Sequence, residues 1–288
     1  MTKISKISVF ATVLITVLSA ANLSAQDKRP SGGSVNLTYS IPQGQTLAYS
    51  LTSVITQQMD MQGQSVMVLV NNKLAYRAKE AGKQDGNQVL EITVDTLTIT
   101  AEAMGNSTGG NITDVTGKPF KMTISPSGKV ISISGADNLE YSVEGQQGGN
   151  LGQTFRDILP TLPARTVRPG EEWTDRDTVN RQTAGAKVFQ VAETVNKYVG
   201  NETINGIQCA KITSTINGTM ETTTQSNGMD IYIHRPTSGQ ATVYFAIGSG
   251  YVVRQDVNTK LSGTIEISGP ASMSFPVIMD TSTRMVLR

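Results

Sequence analysis

The sequence contains few of the residues on which most enzyme sites and disulfide frameworks depend. Its 288 residues include one cysteine, one histidine and one tryptophan, and only 5% are aromatic. One cysteine excludes an internal disulfide and a multi-cysteine zinc site, and one histidine leaves few routes to metal or acid–base chemistry. A net charge of +1 provides no basic field for nucleic acid. We therefore predict no cofactor, no metal site and no nucleic-acid partner.

The first 25 residues predict export. Lys3 and Lys6 precede an apolar run from Val9 to Leu18, and small residues follow as far as Ala25. This order is typical of a secretory signal peptide, with cleavage after Ala25 or, as a second choice, after Ala21. The run is shorter than the roughly 20 residues that span a bilayer, and none of that length follows, so we predict no transmembrane segment in the mature chain. No cysteine lies near the cut. We expect a periplasmic or secreted protein that is not a lipoprotein.

The rest of the chain alternates apolar and polar residues, which predicts β-strands. The apolar positions from Leu90 to Val94 shift by one residue at Leu97, which predicts a bulge near Asp95 because the slip would otherwise turn the apolar set to the other face. The dipeptides Asp85-Gly86 and Asn205-Gly206 predict tight hairpin turns. The sequence therefore predicts a mainly β, antiparallel protein.

One stretch, Leu151 to Leu162, has helical spacing until prolines end it. We predict a signal peptide over 1–25, a first β half over 26–145, a helix and Pro-rich linker over 146–169 and a second β half over 170–288. A similar segment lies near the start of each half, Gly44-Gln-Thr-Leu in the first and Gly170-Glu-Glu-Trp in the second. This likeness indicates either a duplication or coincidence. The predicted fold is two related, curved antiparallel sheet halves, half-barrel or sandwich-like.

Candidate catalytic groups are weak. Gly105 to Gly109 reads G-x-S-x-G, but no helix is predicted after it, as a nucleophile elbow requires. His234 is predicted to lie on a strand face opposite its apolar neighbours, and Cys209 to be a small buried hydrophobe. Four carboxylates in a polar segment are expected to be solvated rather than paired for catalysis; they are Glu171, Glu172, Asp175 and Asp177. We predict no catalytic residues and no enzyme activity.

Several methionines lie on or beside predicted strands. Because methionine adapts to irregular apolar ligands, a methionine-lined curved sheet can hold a lipid, although core packing explains the same residues. We predict an exported binding protein for an apolar small molecule or lipid; the alternative is a structural or interaction module of the cell envelope that recognises a protein or glycan partner. The candidate lining residues are Met59, Met61, Met67, Phe120, Met122, Ile231 and Phe245.

Three short motifs carry a resemblance to a known family. They are Ile124-Ser-Pro-Ser-Gly-Lys-Val130, Ile158-Leu-Pro-Thr-Leu-Pro163 and Val167-Arg-Pro-Gly-Glu-Glu-Trp173. With the signal peptide, they resemble a family of uncharacterised exported bacterial proteins over nearly all of the mature chain. The resemblance implies an exported β-rich protein and brings no catalytic residues. The arrangement in two halves is also similar, at the level of fold alone, to periplasmic half-barrel carriers of lipids and lipoproteins.

Overall fold

The computed structural model describes residues 32–61, 63–136, 139–143, 146–183, 186–226, 228–269 and 272–288. The predicted signal peptide lies outside these residues. Most of the described chain is β-strand, and the longest strand has 21 residues. The mainly β prediction is confirmed.

The chain forms one large sheet, two small sheets and one short helix. In chain order, the elements are β1 (Val35–Asn36), β2 (Thr46–Met61), β3 (Gln64–Gln84), β4 (Asn87–Ala103), β5 (Asn106–Asn111), β6 (Pro119–Ile124), β7 (Val130–Ser134), β8 (Glu140–Val143), β9 (Gln146–Asn150), α1 (Leu151–Arg156), β10 (Thr166–Val167), β11 (Glu172–Thr183), β12 (Ala186–Ile204), β13 (Ile207–Ser226), β14 (Met229–Ala246), β15 (Val252–Ser268) and β16 (Met273–Leu287). The large sheet has the order β11-β12-β13-β14-β15-β16-β2-β3-β4-β6-β7, with β5 beside β4. The small sheets pair β1 with β10 and β8 with β9.

The two predicted halves join edge to edge in the large sheet. The junction is the antiparallel pair of β2 with β16, which runs from Tyr49 opposite Leu287 to Met59 opposite Val277. One continuous sheet therefore replaces the two packed sheets of a sandwich. A duplication of the two halves stays a prediction.

The large sheet is strongly curved. In a flat sheet, the ten strand spacings between β11 and β7 would separate these strands by about 48 Å. Lys129, in the turn between β6 and β7, nevertheless lies 3.2 Å from the carboxylate of Asp175 on β11. The two edges of the sheet therefore approach each other, and one face is concave.

The local turn and bulge predictions are confirmed. Asn205 and Gly206 both have positive φ, 50° and 79°, and connect β12 to β13; Asp85 and Gly86 do the same between β3 and β4. On β4, the register slips between Tyr76 opposite Val94 and Ala75 opposite Thr96. This slip leaves Asp95 as the extra residue, where the apolar pattern shifts.

An N-terminal strap, residues 35–41, crosses one end of the sheet, which we call the base. The backbone N–H of Tyr39 donates to the carbonyl of Pro126, and that of Ser40 to the carbonyl of Gly250. The buried Gln88 side chain holds the end of the strap: its Oε1 accepts from the Ile41 N–H at 2.9 Å and its Nε2 donates to the Ile41 carbonyl at 2.7 Å. The strap thus ties both sides of the curved sheet together.

Helix α1 fills the base from inside. The Asn150 side chain caps it by accepting from the Gly152 N–H at 2.8 Å, and Phe155 packs edge-on against the rings of Tyr76 and Phe120. The helix ends at Arg156, earlier than the pattern to Leu162 predicted. Ile158 and Leu162 are nevertheless buried, so the apolar spacing reflects packing of an irregular segment.

Within the described chain, no helix is long and apolar enough to cross a membrane. No group of three or more histidine, cysteine or acidic side chains in the same part of the chain is placed to hold a metal ion.

Candidate functional site

The polarity of the side chains on the concave face changes along the strands. At the base it is apolar and covered by the strap and α1, with the side chains of Leu51, Leu74 and Leu97 in one row across β2, β3 and β4. Beyond that row, buried polar side chains replace the apolar ones on most of the strands. This polar belt comprises Ser53, Asn72, Asn196, Ser214, Thr259, Thr281 and Thr283.

Beyond the polar belt, towards the hairpins that join β2 to β3, β13 to β14 and β15 to β16, the concave face becomes apolar again. The strap and helix contacts given above all lie at the base. Curvature brings the side chains of a concave face closer together, so many of them shield one another even without a covering segment. We call these residues the outer concave face: Met59, Val66, Val68, Val188, Met220, Ile231, Ile233, Leu261, Ile265, Ile267, Phe275, Val277 and Met279.

The polar belt is only partly satisfied by the protein. The Ser214 hydroxyl donates to Asn196 Oδ1 at 2.6 Å, and the Thr283 hydroxyl donates to Ser53 Oγ at 3.0 Å. Asn72 is 2% exposed, yet neither its Nδ2 nor its Oδ1 has a hydrogen-bond partner. Buried polar groups normally have partners, so this amide is available to another molecule.

All the buried side-chain atoms without a partner in the described residues lie on residues of the concave face. Trp173 Nε1 and Asn72 lie in one register row, and Gln255 and Thr259 lie on β15 in the rows on either side of it. Arg235 Nε lies further out, on β14. These hydrogen-bonding groups point to the concave face as the side of the molecule that meets a ligand or water.

One small cavity lies between the polar belt and the segments that fill the base. Its volume is about 10 Å³, which is room for about one water molecule and not for an acyl chain. Its lining combines concave-face residues with residues in and around α1: Leu51, Asn72, Leu74, Leu97, Tyr141, Leu151, Thr154 and Ile158. A lipid-sized ligand therefore has no room here.

The structure separates the predicted lining residues. Met59 is buried and Ile231 half-buried on the outer concave face. Phe120, Met122 and Phe245 are instead packed into the base, where Phe120 contacts Phe155 and Phe245 contacts Tyr39. These three belong to the covered core and are not open to a ligand.

Met67 was wrongly placed in the lining. It stands opposite Gln58 in the sheet, and its side chain is 61% exposed on the convex face. Strand alternation directs its neighbours Val66 and Val68 to the concave face, so Met67 must point away from it. Met61 ends β2, and its side chain lies outside the described part of the structure.

Sequence reasoning missed the polar residues of the concave face. Arg235 follows Ile231 and Ile233 at a spacing of two, so the alternation alone places a cation on an apolar face. Asn72 likewise lies on the same strand face as Val70 and Leu74, at a spacing of two. The signal in the sequence was a charged or amide residue at a position where the strand alternation places an apolar one.

Three of the four candidate carboxylates have separate basic partners among the described residues. Glu172 pairs with Lys197 at 2.9 Å, and Asp175 pairs with Lys129. Glu171 accepts a hydrogen bond from the backbone N–H of Arg168 and another from the Arg165 guanidinium. The hydrogen bond from Arg168 is the largest cause that holds the pKa of Glu171 below its ordinary value, and the bond from Arg165 is the next. The ion pairs position side chains on the surface and at the sheet edges.

His234 and Cys209 have the settings that their strand patterns predicted. His234 lies on the convex face of β14, with Nδ1 3.5 Å from a Glu221 carboxylate oxygen. Cys209 is fully buried, and burial raises the pKa of its thiol to about 11. A thiol with so high a pKa is a poor nucleophile at neutral pH.

Comparisons with known proteins show only weak likenesses. No family model matches the chain, and no curated protein does. Among solved structures, a Bacteroides fragilis protein described as exported and YmcC-like in fold is 13% identical, with a TM-score of 0.22, and the match covers 84% of this chain and 97% of that one. OccK2 (OpdF) of Pseudomonas aeruginosa, solved with glucuronate, is 6% identical, with a TM-score of 0.21 and coverage of 85% and 100%.

A DUF1329 family protein from Desulfovibrio piger is 12% identical, with a TM-score of 0.12, and the match covers 81% of this chain and 83% of that one. At such TM-scores, none of these likenesses supports a conclusion about this chain. The resemblance to a family of exported proteins therefore stays a prediction from short motifs.

Proposed function

We propose that the protein is an exported, non-enzymatic binding protein that holds an apolar or lipid-like ligand against its outer concave face. The observation that carries the proposal is the half-buried state of the apolar side chains there. These side chains are Val66, Ile231, Ile233, Ile267 and Met279.

An apolar surface of this kind is costly to leave in water. Each buried aliphatic side chain contributes roughly 1.5–3 kcal/mol, so a ligand that completes the burial of several gains appreciable affinity. Met59, Met220 and Met279 lie among them, and their unbranched side chains can move to admit an irregular chain. The ligand therefore binds by displacing flexible side chains on the outer face, since the cavity at the base holds about one water molecule.

The test uses an uncharged fluorescent probe, N-phenyl-1-naphthylamine, with the purified mature chain. Ile233 and Tyr232 are neighbours on β14 that face opposite sides of the sheet. We expect Ile233→Glu to weaken probe binding by about tenfold or more, because it places a charge in the apolar surface. Tyr232→Glu, on the convex face, is the matched control and leaves binding within about twofold. Failure of the wild type to bind the probe, or equal effects of the two substitutions, would contradict the proposal.

One observation favours the alternative, an envelope interaction module. Phe189 and Val191 are exposed on the convex face of β12. The neighbouring strand β11 is the edge of the large sheet, and among the described strands it pairs with β12 alone. This alternative predicts that the double substitution Phe189→Ser and Val191→Ser abolishes retention of an envelope protein or glycan. It also predicts that Ile233→Glu leaves that retention unchanged, which separates the two functions.

A further inference from the structure

Arg235 is a cation on the concave face for which the described residues provide no counter-ion. It stands opposite Met220 on β13 and lies between Ile233 and Thr237 along its own strand face. Its Nε is buried and makes no hydrogen bond, and no carboxylate of the described residues forms an ion pair with it. Burial lowers the pKa of its guanidinium, which still carries its charge at neutral pH.

The acidic groups of the same face are too far away to neutralise Arg235. Asp177 on β11 lies in the register row of Thr237, three strand spacings or about 14 Å away. Asp175 is held by Lys129. The side chain of Arg181 lies outside the described part of the structure. A half-buried guanidinium whose Nε has no partner is favourably placed to bind an anion.

Two glycines lie close to Arg235 in the sheet. Gly263 on β15 lies against the backbone of His234 and Arg235, and Gly218 on β13 stands opposite Thr237. A Cβ at Gly263 would come within 1.8 Å of the His234 carbonyl oxygen, so no other residue fits there. These two positions of the concave face therefore carry no side chain, because neighbouring backbone occupies the space that a Cβ would take.

The surroundings of Arg235 are polar on one side and apolar on the other. Towards the base lie Thr237 and then the polar belt, where the Thr259 hydroxyl has no partner. Towards the hairpins lie Ile233 and Ile231, with Ile265 opposite Ile233. The four residue steps from Arg235 to Ile231 span about 13 Å. This gradient matches a molecule with one charged end and one apolar end.

From these observations we infer that the outer concave face binds a single-chain anionic amphiphile, with a carboxylate or phosphate head on Arg235 and an alkyl tail along Ile233 and Ile231. The inference rests on the proposed function and names its ligand class. Arg235 is the residue that distinguishes an anionic ligand from a neutral one, because its guanidinium can form two parallel hydrogen bonds to either anion.

The test compares three ligands of equal chain length, dodecanoate, dodecyl phosphate and dodecanol, by competition with N-phenyl-1-naphthylamine. We expect the wild type to bind at least one anion about tenfold more tightly than the alcohol. Arg235→Gln should reduce the affinity of that anion to the level of the alcohol, and Arg235→Lys should retain part of the difference. Arg176→Gln, an exposed arginine on the convex face of β11, is the matched control and keeps the full difference.

The possible outcomes are distinct. A preference for dodecanoate indicates a fatty acid, and a preference for dodecyl phosphate indicates a phosphate-bearing lipid. Equal binding of the alcohol and both anions to the wild type would overturn this inference and leave the proposed function intact; absence of binding by all three would overturn both. If Arg235→Gln does not fold, the comparison of the three ligands on the wild type and the Arg235→Lys variant still test the inference.

Discussion

Phe155 shows how single residues hold the base together. It is fully buried, and its ring centroid lies 5.0 Å from that of Tyr76 and 5.1 Å from that of Phe120, both in edge-on geometry. Since α1 has only six residues, its position depends on this side chain more than on its backbone hydrogen bonds.

Replacement of Phe155 by alanine should therefore destabilise the protein by about 3–5 kcal/mol, the usual effect of deleting a buried aromatic ring. Urea unfolding measures the change. Ile131→Ala is the control, because that side chain is 57% exposed and its loss should change the free energy of unfolding by no more than about 0.5 kcal/mol. Similar effects of both substitutions would show that α1 is not held by Phe155.

Cys209 should be unreactive in the native protein. With its pKa raised from 9.0 to about 11 by burial, its thiolate fraction at pH 8 falls by about a hundredfold, and burial blocks access further. We expect 5,5′-dithiobis(2-nitrobenzoic acid) to label the native protein at least about a hundredfold more slowly than the protein in 6 M guanidinium chloride. Equal rates would contradict the buried setting.

The same thiol links stability to pH. Because folding raises the pKa of Cys209, its contribution is complete below about pH 9 and is lost as the pH rises to about 11. Burial also raises the pKa values of Tyr39 and Tyr49 well above 10, so their contributions are lost in the alkaline range as well. The free energy of unfolding should therefore decline above pH 9.

At the residue scale, the sequence predicted burial better than it predicted which face a side chain occupies. Val66, Met67, Val68 and Leu69 are apolar in succession, so alternation could not assign Met67 to either face. Phe120, Met122 and Phe245 were predicted to line a ligand cavity, but they are packed into the core at the base, and no local sequence pattern shows this packing.

At the scale of elements, glycines on the concave face allow neighbouring strands to approach closely. Gly263 has the backbone of His234 and Arg235 where a Cβ would lie, whereas a Cβ at Gly110 on β5 would meet no atom within 4 Å. Both stand within antiparallel pairs of the large sheet, so they differ chiefly in available space.

Gly263→Ala should consequently destabilise the protein by about 1–3 kcal/mol, since the backbone of β14 must move. Gly110→Ala should change the free energy of unfolding by no more than about 0.5 kcal/mol. Thermal or urea unfolding of the two variants measures the difference. A neutral Gly263→Ala would show that β14 and β15 can separate at this point without cost.

Elements defined by short-range signals were predictable, and those defined by distant contacts were not. The hairpin turns at Asp85 and Asn205 and the bulge at Asp95 each depend on a few adjacent residues. The strap depends on Gln88, 47 residues after Ile41, and nothing near either residue indicates the contact. The helix was predicted too long because Ile158 and Leu162 are apolar for packing reasons.

At the scale of the whole molecule, the two halves share one interior. The Tyr49 hydroxyl donates to the Val252 carbonyl, the Thr283 hydroxyl donates to Ser53, and Tyr39 packs edge-on against Phe245. Each of these contacts joins the first half of the chain to the second. The halves should therefore unfold together.

Trp173 provides the measurement, because the only tryptophan lies on the edge strand β11 of the second half. We expect its fluorescence and the far-ultraviolet circular dichroism of the full chain to report the same urea midpoint. An earlier fluorescence transition would show that the second half, or its edge, unfolds independently. Such a result would support two separable domains, as the division at residues 146–169 first suggested.

The junction of β2 with β16 also determines how the protein can fold. Every other neighbouring pair in the large sheet connects strands that are close in the chain, but Tyr49 pairs with Leu287 across more than two hundred residues. The entropic cost of closing so long a loop delays this pairing, and folding slows as contacts become more distant in sequence. Until it forms, β2 and β16 are both unpaired edges of two incomplete sheets. The interval before closure is when we expect the chain to be most prone to aggregate and most dependent on a chaperone.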